Sequence, residues 1–473
     1  MFVMIFNSQS HSGNTAIDTR HTPIAIHVLS KWYLSAFVIL VLHSFAQTSH
    51  AQFDNYSASP INYNKTEVND PVAILARRVE SGEAKLQYDK TQGFLPAVLK
   101  ALDIPVSSQT LVFSKTSMQR SRISPQRPRA IYFNEEVYVG FVQKGGVIEF
   151  AATDARQGAT FYTLEQSATL RPQFIRDQGQ CLTCHSSNRT QNVPGYLIRS
   201  VFAKPDGMPE FGKGTFTTGH NSPFKDRWGG WYVTGTHGDM RHMGNTTIKN
   251  REEQIDRNTR ANLKTLNELV STVPYPSPHS DIVALMVMEH QTQMHNAIAW
   301  ANYETRRAIH QSESMNRLLE RSQTLLSESS ERRIDSAADR VLKYLLMCDE
   351  FVLTSPVKGT SAFTSDFESR GVRDSQHRSL RDFDLKSRMF RYPCSYMIYS
   401  KAFDGLPDEV RNRVLRKLKQ ILEGNETGED IEKYAHLSDK DRSNISQILK
   451  DTKPEFAAVC KIEVKDKDDD SER

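Results

Sequence analysis

The sequence predicts an α+β fold, with a strand-containing N-terminal domain followed by a mainly α-helical C-terminal domain. Two β-rich runs, VYVGFV at 137–142 and VIEF at 147–150, flank the glycine-containing linker 143–146, a pattern typical of a β-hairpin. Residues 280–309 place apolar side chains at helical spacing. After about residue 250 the strand-like segments give way to helical ones, and a chain of 473 residues is long enough for two domains.

The N-terminal half contains four further segments with a recognisable pattern. Two helices are expected between Pro71 and Leu102, separated by a polar loop, because apolar residues recur there at helical spacing. Residues 114–129 form a basic loop that two prolines keep from being helical. A third strand is expected at 161–164, and KPDG at 204–207 predicts a turn, since Pro restricts φ and Gly accepts positive φ.

The C-terminal half is expected to be helical. Ser280 is the predicted N-cap of the long helix, with Asp281 at the positive end of the helix dipole. A polar stretch at 354–382 predicts a long surface loop. Further helical patterns cover about 311–328, 331–350, 405–423 and 438–451. The resulting domain limits are 52–250 for the α+β domain, 251–460 for the helical domain and 461–473 for a disordered charged tail.

The N-terminus has the layout of an export signal. An apolar run from Trp32 to Ala46 follows a lysine, and the small residues Ser49 and Ala51 stand at the −3 and −1 positions of a cut after Ala51. We expect residues 1–51 to be a cleaved signal peptide, with an uncleaved N-terminal anchor as the alternative. No later apolar run is long enough to span a bilayer. These features predict a periplasmic or secreted chain without a transmembrane span after processing.

Composition adds little about partners. Hydrophobic residues make up 38% of the chain and charged residues 25%, which is ordinary for a globular protein with a core. The net charge of +4 is nearly balanced, so together with export it disfavours a nucleic-acid partner. The oligomeric state is not predicted by these numbers.

The most informative stretch is QCLTCHSSNRT at 180–190. Cys181, Cys184 and His185 form C-x-x-C-H, which in an exported chain is typical of covalent haem c attachment. Two residues between the thiols let both sulfurs reach the vinyl groups on one edge of a porphyrin, and the adjacent imidazole then reaches the iron. Cys181, Cys184 and His185 are therefore the predicted cofactor-binding residues, with His185 as the metal ligand. One motif predicts one haem per chain.

Two chemical alternatives fit the surrounding sequence less well. A thioredoxin-type C-x-x-C follows a strand and begins a long helix, whereas SSNRTQNVPG follows this motif. A structural zinc site needs two more ligands, and the remaining cysteines are widely separated along the chain. The sequence does not determine whether any two of the remaining cysteines form a disulfide; these are Cys348, Cys394 and Cys460.

The motif resembles that of c-type cytochromes. Four blocks of the chain are similar to a family of large exported bacterial mono-haem proteins: SSQTLVFSKTSMQ, PRAIYFNEEVYVGF, RWGGWYVTGTHG and FRYPCSYMIYSKAFDGLP. The chain does not look like a small class I cytochrome c, where the motif lies near the start of a compact helical domain. The resemblance implies haem and export, and it implies no particular reaction.

The ligand opposite His185 decides between electron transfer and ligand binding. One candidate segment is THGDMRHMGN, with His237, His242 and Met243, and a glycine-rich loop of this kind can approach a haem closely. The other is EHQTQMHN, where His290 and Met294 are spaced i, i+4 and share one helix face. Buried Met and His residues on such a face are also common as ordinary core residues. We favour the first segment.

Three classes of function remain open. The first is an electron-transferring c-type cytochrome with a redox partner protein, for which the basic loop at 115–129 is a candidate docking surface. The second is a haem-dependent oxidoreductase or peroxidase whose substrate pocket is capped by the helical domain; no acid and base pair at a fixed spacing identifies catalytic residues. The third is a haem-based gas sensor or binding module. Near the haem, Trp228 and Trp231 are candidate stacking residues and Arg227 a candidate propionate partner.

Overall fold

A computed structural model describes residues 56–469, and their side chains as far as Lys461. The predicted signal peptide at 1–51 and the last four residues lie outside the described residues. From Ser59 onward the described chain forms one compact unit with an antiparallel sheet in its first half and helices in its second. The predicted α+β class is therefore confirmed, while the domain limits at residues 250 and 460 stay predictions.

The main sheet has seven strands in the order β6-β5-β4-β3-β2-β1-β9, each antiparallel to its neighbour. The predicted hairpin is confirmed, because β3 pairs with β4 in a register that places Gly140 opposite Glu149. The predicted third strand is also present as β5. The strands are β1 Thr110–Val112, β2 Arg129–Phe133, β3 Val137–Val142, β4 Val147–Asp154, β5 Gly158–Glu165, β6 Phe174–Arg176 and β9 Trp231–Tyr232.

One face of this sheet packs against the two predicted helices, α1 at Pro71–Ser81 and α2 at Leu95–Ala101. Asp70 is the N-cap of α1, since its carboxylate accepts from the amides of Val72 and Ala73 at 2.9 Å. The same carboxylate accepts from the hydroxyls of Thr160 and Tyr162 on β5. The Asp70 side chain therefore attaches α1 to one face of the sheet. The candidate site lies on the opposite face of the sheet.

A small two-stranded ribbon lies after the motif. It pairs β7, Arg199–Val201, with β8, Thr215–Thr217, in antiparallel register. The predicted KPDG turn is confirmed, because the amide of Gly207 donates to the carbonyl of Lys204 at 2.8 Å and Gly207 has φ of 90°.

The long helix α4 runs from Ile282 to Leu318. The prediction that Ser280 caps it is wrong: Asp281 is the N-cap, and its carboxylate accepts from the amide of Val283 at 2.8 Å. The Ser280 hydroxyl instead donates to the carbonyl of Tyr232 at 2.6 Å, which ties the start of α4 to the sheet edge. The helical pattern predicted at 311–328 is helical at 311–318, where it continues α4 without an interrupting Gly or Pro, and is not helical at 319–327.

Four of the helices that follow α4 pack against it directly: Glu328–Leu345, Phe363–Ser369, Lys401–Asp404 and Asp408–Leu422. The predicted loop at 354–382 contains a short helix whose Phe363 and Phe367 are buried, so it is partly core. The last helix overlaps the predicted charged tail that begins at residue 461. No helix in the described part of the chain has the length and apolar character needed to cross a membrane. The helices are α3 Leu182–His185, α5 Glu328–Leu345, α6 Phe363–Ser369, α7 Lys401–Asp404, α8 Asp408–Leu422, α9 Glu429–Lys433, α10 Asp439–Thr452 and α11 Pro454–Asp469.

Candidate functional site

The C-x-x-C-H motif forms a single helical turn. Cys181 precedes α3, and its carbonyl accepts from the amides of Cys184 at 3.1 Å and His185 at 2.9 Å. The carboxylate of Asp177 accepts from the Cys181 amide at 3.0 Å and so closes the start of the turn. Leu182 is buried and holds the turn against the protein. One turn therefore carries both thiols and the imidazole, as the spacing predicts.

The two thiols differ in their surroundings. Cys184 is exposed, whereas Cys181 is half-buried. Burial, and then the negative charge of Asp177, raises the pKa of the Cys181 thiol to about 12. Thiol–disulfide catalysts need a lowered pKa, because the thiolate is the nucleophile. The surroundings of Cys181 therefore disfavour thioredoxin-type chemistry at this motif.

The His185 imidazole is oriented by Gly195. Its Nδ1 lies 2.9 Å from the Gly195 carbonyl oxygen, and its ring packs on Phe161 of β5 with 4.9 Å between ring centroids. Burial lowers the pKa of His185, so the ring is neutral at neutral pH. Because a carbonyl oxygen only accepts, the Nδ1 carries the hydrogen and the Nε2 keeps its lone pair. This is the tautomer in which an imidazole binds a metal through Nε2.

A largely buried ion pair lies near the motif on the second face of the sheet. Arg129 of β2 and Glu149 of β4 are 2.5 Å apart, and both charges influence the pKa values of Cys181 and His185. A Cβ atom on Gly140 would lie 2.4 Å from the Arg129 guanidinium, so the glycine leaves room for this pair. Residue spacing does not indicate this pair, and its only signal in the sequence is a glycine inside a strand.

The first group of predicted sixth ligands lies in a buried aromatic cluster with Phe224. The Nε2 of His237 accepts from the Asn262 amide at 3.2 Å, and the Nδ1 of His242 accepts from the Gly244 amide at 2.9 Å. Burial lowers the pKa of both rings, so each is neutral and has one lone pair. Both lone pairs are therefore engaged in hydrogen bonds.

Met243 is fully buried beside the β7–β8 ribbon, where it packs with Phe202 and Ile248. Its Sδ accepts from the Ser200 hydroxyl at 3.7 Å. The Met243 side chain is therefore part of a small buried cluster.

His290 on α4 is part of a directed chain of hydrogen bonds. The Nε2 of His220 donates to the Cys348 carbonyl at 3.0 Å, so the Nδ1 of His220 accepts from the Nδ1 of His290 at 3.1 Å. The Nε2 of His290 then accepts from the Ser395 hydroxyl at 2.7 Å. The lone pair of His290 is therefore also engaged, and Met294 is fully buried on the same helix.

The structure brings Cys181, Cys184 and His185 together but not the predicted sixth ligands. Within residues 56–461, no hydrogen bond or ring contact joins His185 to His237, His242, Met243, His290 or Met294. In the same part of the chain, no group of three or more His, Cys, Asp or Glu side chains is arranged to hold a metal ion. The sixth ligand stays undecided.

Other residues singled out in the sequence have structural partners. Arg227 pairs with Glu289 of α4 at 3.2 Å, with both side chains buried. Trp228 is fully buried, and the indole of Trp231 donates to the Arg199 carbonyl at 2.8 Å. Cys348 and Cys394 are buried free thiols, and Cys460 lies in α11.

Known proteins provide no template for this arrangement: no protein-family model, no curated protein and no solved structure matches the chain. The chemistry of the site therefore follows from its own atoms. These are an exposed thiol, a half-buried thiol of raised pKa and a neutral imidazole with a free Nε2. These three groups suit a cofactor that is attached through two thioethers and whose metal binds one nitrogen.

Proposed function

We propose that the protein is an exported mono-haem c-type cytochrome that transfers electrons. Cys181 and Cys184 would hold one haem c through thioethers, and His185 would be the ligand to its iron. The observation that carries the proposal is the bond from His185 Nδ1 to the Gly195 carbonyl, on the same turn as both thiols. That bond leaves the Nε2 lone pair free on an imidazole whose rotation is restricted.

The residues of the motif fit this group in three respects. The Cys184 side chain is exposed and that of Cys181 is half-buried, so both sulfurs are accessible for thioether formation. The imidazole is neutral, as iron ligation requires, because burial lowers its pKa. The Arg129–Glu149 pair places two opposite charges beside the motif, and the position of nearby charges is one means of adjusting a redox potential. When bound, the haem supplies the one-electron chemistry.

The proposed location is the periplasm or the outside of the cell, after removal of residues 1–51. The proposed partner is a redox protein with an acidic surface. Arg120, Arg122 and Arg127 of the basic loop are exposed. The start of the same loop reaches the motif, since Gln119 donates to Glu149 at 3.0 Å and Glu149 influences the pKa of Cys181.

The test is expression with a haem c attachment system, followed by mass spectrometry and a pyridine haemochrome spectrum. We expect one covalent haem per chain in the native protein and none in the double variant C181A/C184A. C348A is the matched control, because Cys348 is a free thiol buried away from the motif; it should keep the haem. A native chain without covalent haem under these conditions would overturn the proposal.

A second candidate function is supported by the hydrogen bonds of the three histidine candidates. In His237, His242 and His290 the single lone pair already accepts a hydrogen bond. None of these three histidines would therefore offer a free lone pair to a bound haem iron, which supports a haem-dependent oxidoreductase, a peroxidase or a gas sensor as the alternative. Carbon monoxide distinguishes the two candidates: ferrous protein that binds it readily supports the second, and ferrous protein indifferent to it supports electron transfer.

A further inference from the structure

The loop that orients His185 is held by a residue 100 positions further along the chain. Asn296 lies in the buried middle of α4, and its Oδ1 accepts from the Tyr196 amide at 2.8 Å. Its Nδ2 donates to the Tyr196 carbonyl, also at 2.8 Å. Both polar groups of the Tyr196 backbone are therefore held by one side chain, which restricts translation and rotation of this backbone segment.

Gly195 links this pair to the imidazole. Its carbonyl accepts from His185 Nδ1 at 2.9 Å, and its amide donates to the His185 carbonyl at 2.8 Å. A Cβ on Gly195 would lie 2.4 Å from Asn296 Oδ1, closer than real Cβ contacts. A larger residue at 195 would therefore push the loop away from Asn296. The contacts form one continuous series from α4 to the His185 ring.

A second contact holds the same loop. The Nη1 of Arg340 on α5 donates to the Gln191 side chain at 3.3 Å. The Arg340 guanidinium lies over the ring of Trp300 on α4, 3.8 Å from the ring centroid. Residues 186–196 are thus held by helices at two places, and Asn296 holds the residue next to Gly195.

We propose that Asn296 is a positioning residue for the His185 imidazole, acting through the backbone of Tyr196 and Gly195. The inference rests on the proposed function, because its effect is on the iron ligand. A Gly195 carbonyl held in place keeps the bond to Nδ1–H short, which raises the basicity of Nε2 as a ligand. Loosening the carbonyl weakens both the bond and the ligation.

The test compares N296A with the matched control N302A in haem-loaded protein. Asn302 is another buried asparagine of α4, but its amide donates to the Ala155 and Gly405 carbonyls at 3.2 and 3.1 Å, away from the loop. We expect N296A to shift the midpoint potential to more positive values than N302A. We also expect acid to detach His185 at a pH about one unit higher, a roughly tenfold weaker ligation. Far-UV circular dichroism reports folding separately.

G195A tests the same contact without removing Asn296, and should likewise shift the potential to more positive values, so it serves if N296A unfolds. The double variant G195A/N296A tests whether both changes act through this one contact. G195A introduces the clash with Asn296 Oδ1, and in G195A/N296A that clash is absent. If the two changes acted independently, their shifts in midpoint potential would add in the double variant. We expect less than this sum, with the potential of the double variant close to that of N296A. Equal potentials and equal acid midpoints for N296A and N302A would overturn the inference. Absence of covalent haem from the native chain would instead overturn the proposed function.

Discussion

The Nδ1 of His185 lies 2.9 Å from the carbonyl oxygen of Gly195, and the amide of Gly195 donates back to the His185 carbonyl at 2.8 Å. The two residues are ten positions apart, and the loop between them is closed at both ends by this double contact. The pair therefore determines the tautomer of His185 and the direction of its Nε2.

Each thioether can be tested alone. C181A or C184A leaves one vinyl group conjugated with the porphyrin, so the pyridine haemochrome band should move to longer wavelength than in the native protein. C394A removes a fully buried thiol elsewhere and should leave the band in place. An unchanged band in both motif variants would mean that the cysteines do not form thioethers.

Gly140→Ala should disturb the ion pair beside the motif. The new Cβ would lie 2.4 Å from Arg129, so the guanidinium must move away from Glu149. We expect a loss of about 1–3 kcal/mol in the free energy of unfolding, measured with urea. Gly146→Ala is the matched control, because no atom lies within 4 Å of its Cβ position; it should change stability by less than about 0.5 kcal/mol.

Removing Arg227 should leave a buried carboxylate without its charge partner. Glu289 is fully buried, and burial raises its pKa to about 7 even with Arg227 present. Arg227→Met should cost about 3–5 kcal/mol of unfolding free energy. The loss should be larger at pH 8 than at pH 6. A carboxyl whose pKa is raised in the folded state loses stability as pH rises, because the ionised form must be buried.

Two comparisons test whether the unpaired Glu289 carboxylate causes this loss of stability. R227M/E289L removes both charges and should recover at least half of the lost stability. R332A breaks an exposed pair with Glu328 and should change stability by less than about 1 kcal/mol. A pH-independent loss in R227M, with no recovery in the double variant, would point to lost packing instead.

The stability of the fold should fall in acid through the buried His220–His290 pair. Burial lowers the pKa of His220 to about 4, whereas an unfolded histidine titrates near 6.5. Between these values only the unfolded chain takes up the proton, so the free energy of unfolding decreases as pH falls from 6.5 towards 4. For His220 alone, the free energy of unfolding should decrease by roughly 3 kcal/mol over this pH range. His220→Gln should reduce this slope, and the exposed control His310→Gln should not.

Electron exchange with a small anionic oxidant should depend on the basic loop. If this loop borders the haem, the rate with hexacyanoferrate should decrease as salt is added, because salt screens the attraction. The triple variant R120E/R122E/R127E should slow the reaction and weaken its salt dependence. R321E, beyond the end of α4, is the control for net charge. The decrease in rate is divided by the number of arginines replaced in each variant. If this value is the same for the triple variant and for R321E, the loop is excluded as the docking surface.

Local patterns were sufficient for much of the fold. The β3–β4 hairpin, α1, α2 and the long helix α4 were all predicted from periodicity and turn residues, because neighbouring positions determine these elements. Two of the errors fall at the ends of α4. Ser280 and Asp281 are both good N-caps by residue type, and the choice depends on Tyr232, whose carbonyl takes the Ser280 hydroxyl. That contact spans 48 positions and leaves no local pattern.

Residue spacing alone predicts one feature of the candidate site: C-x-x-C-H places two thiols and an imidazole on one helical turn. Packing between distant segments sets the rest. The Gly195 carbonyl accepts from His185 Nδ1, and Asn296 holds the loop that carries this carbonyl. The lone pairs of His237, His242 and His290 are engaged by other partners. Hydrogen-bond partners far apart in the chain are chosen by packing, which spacing along the sequence does not encode.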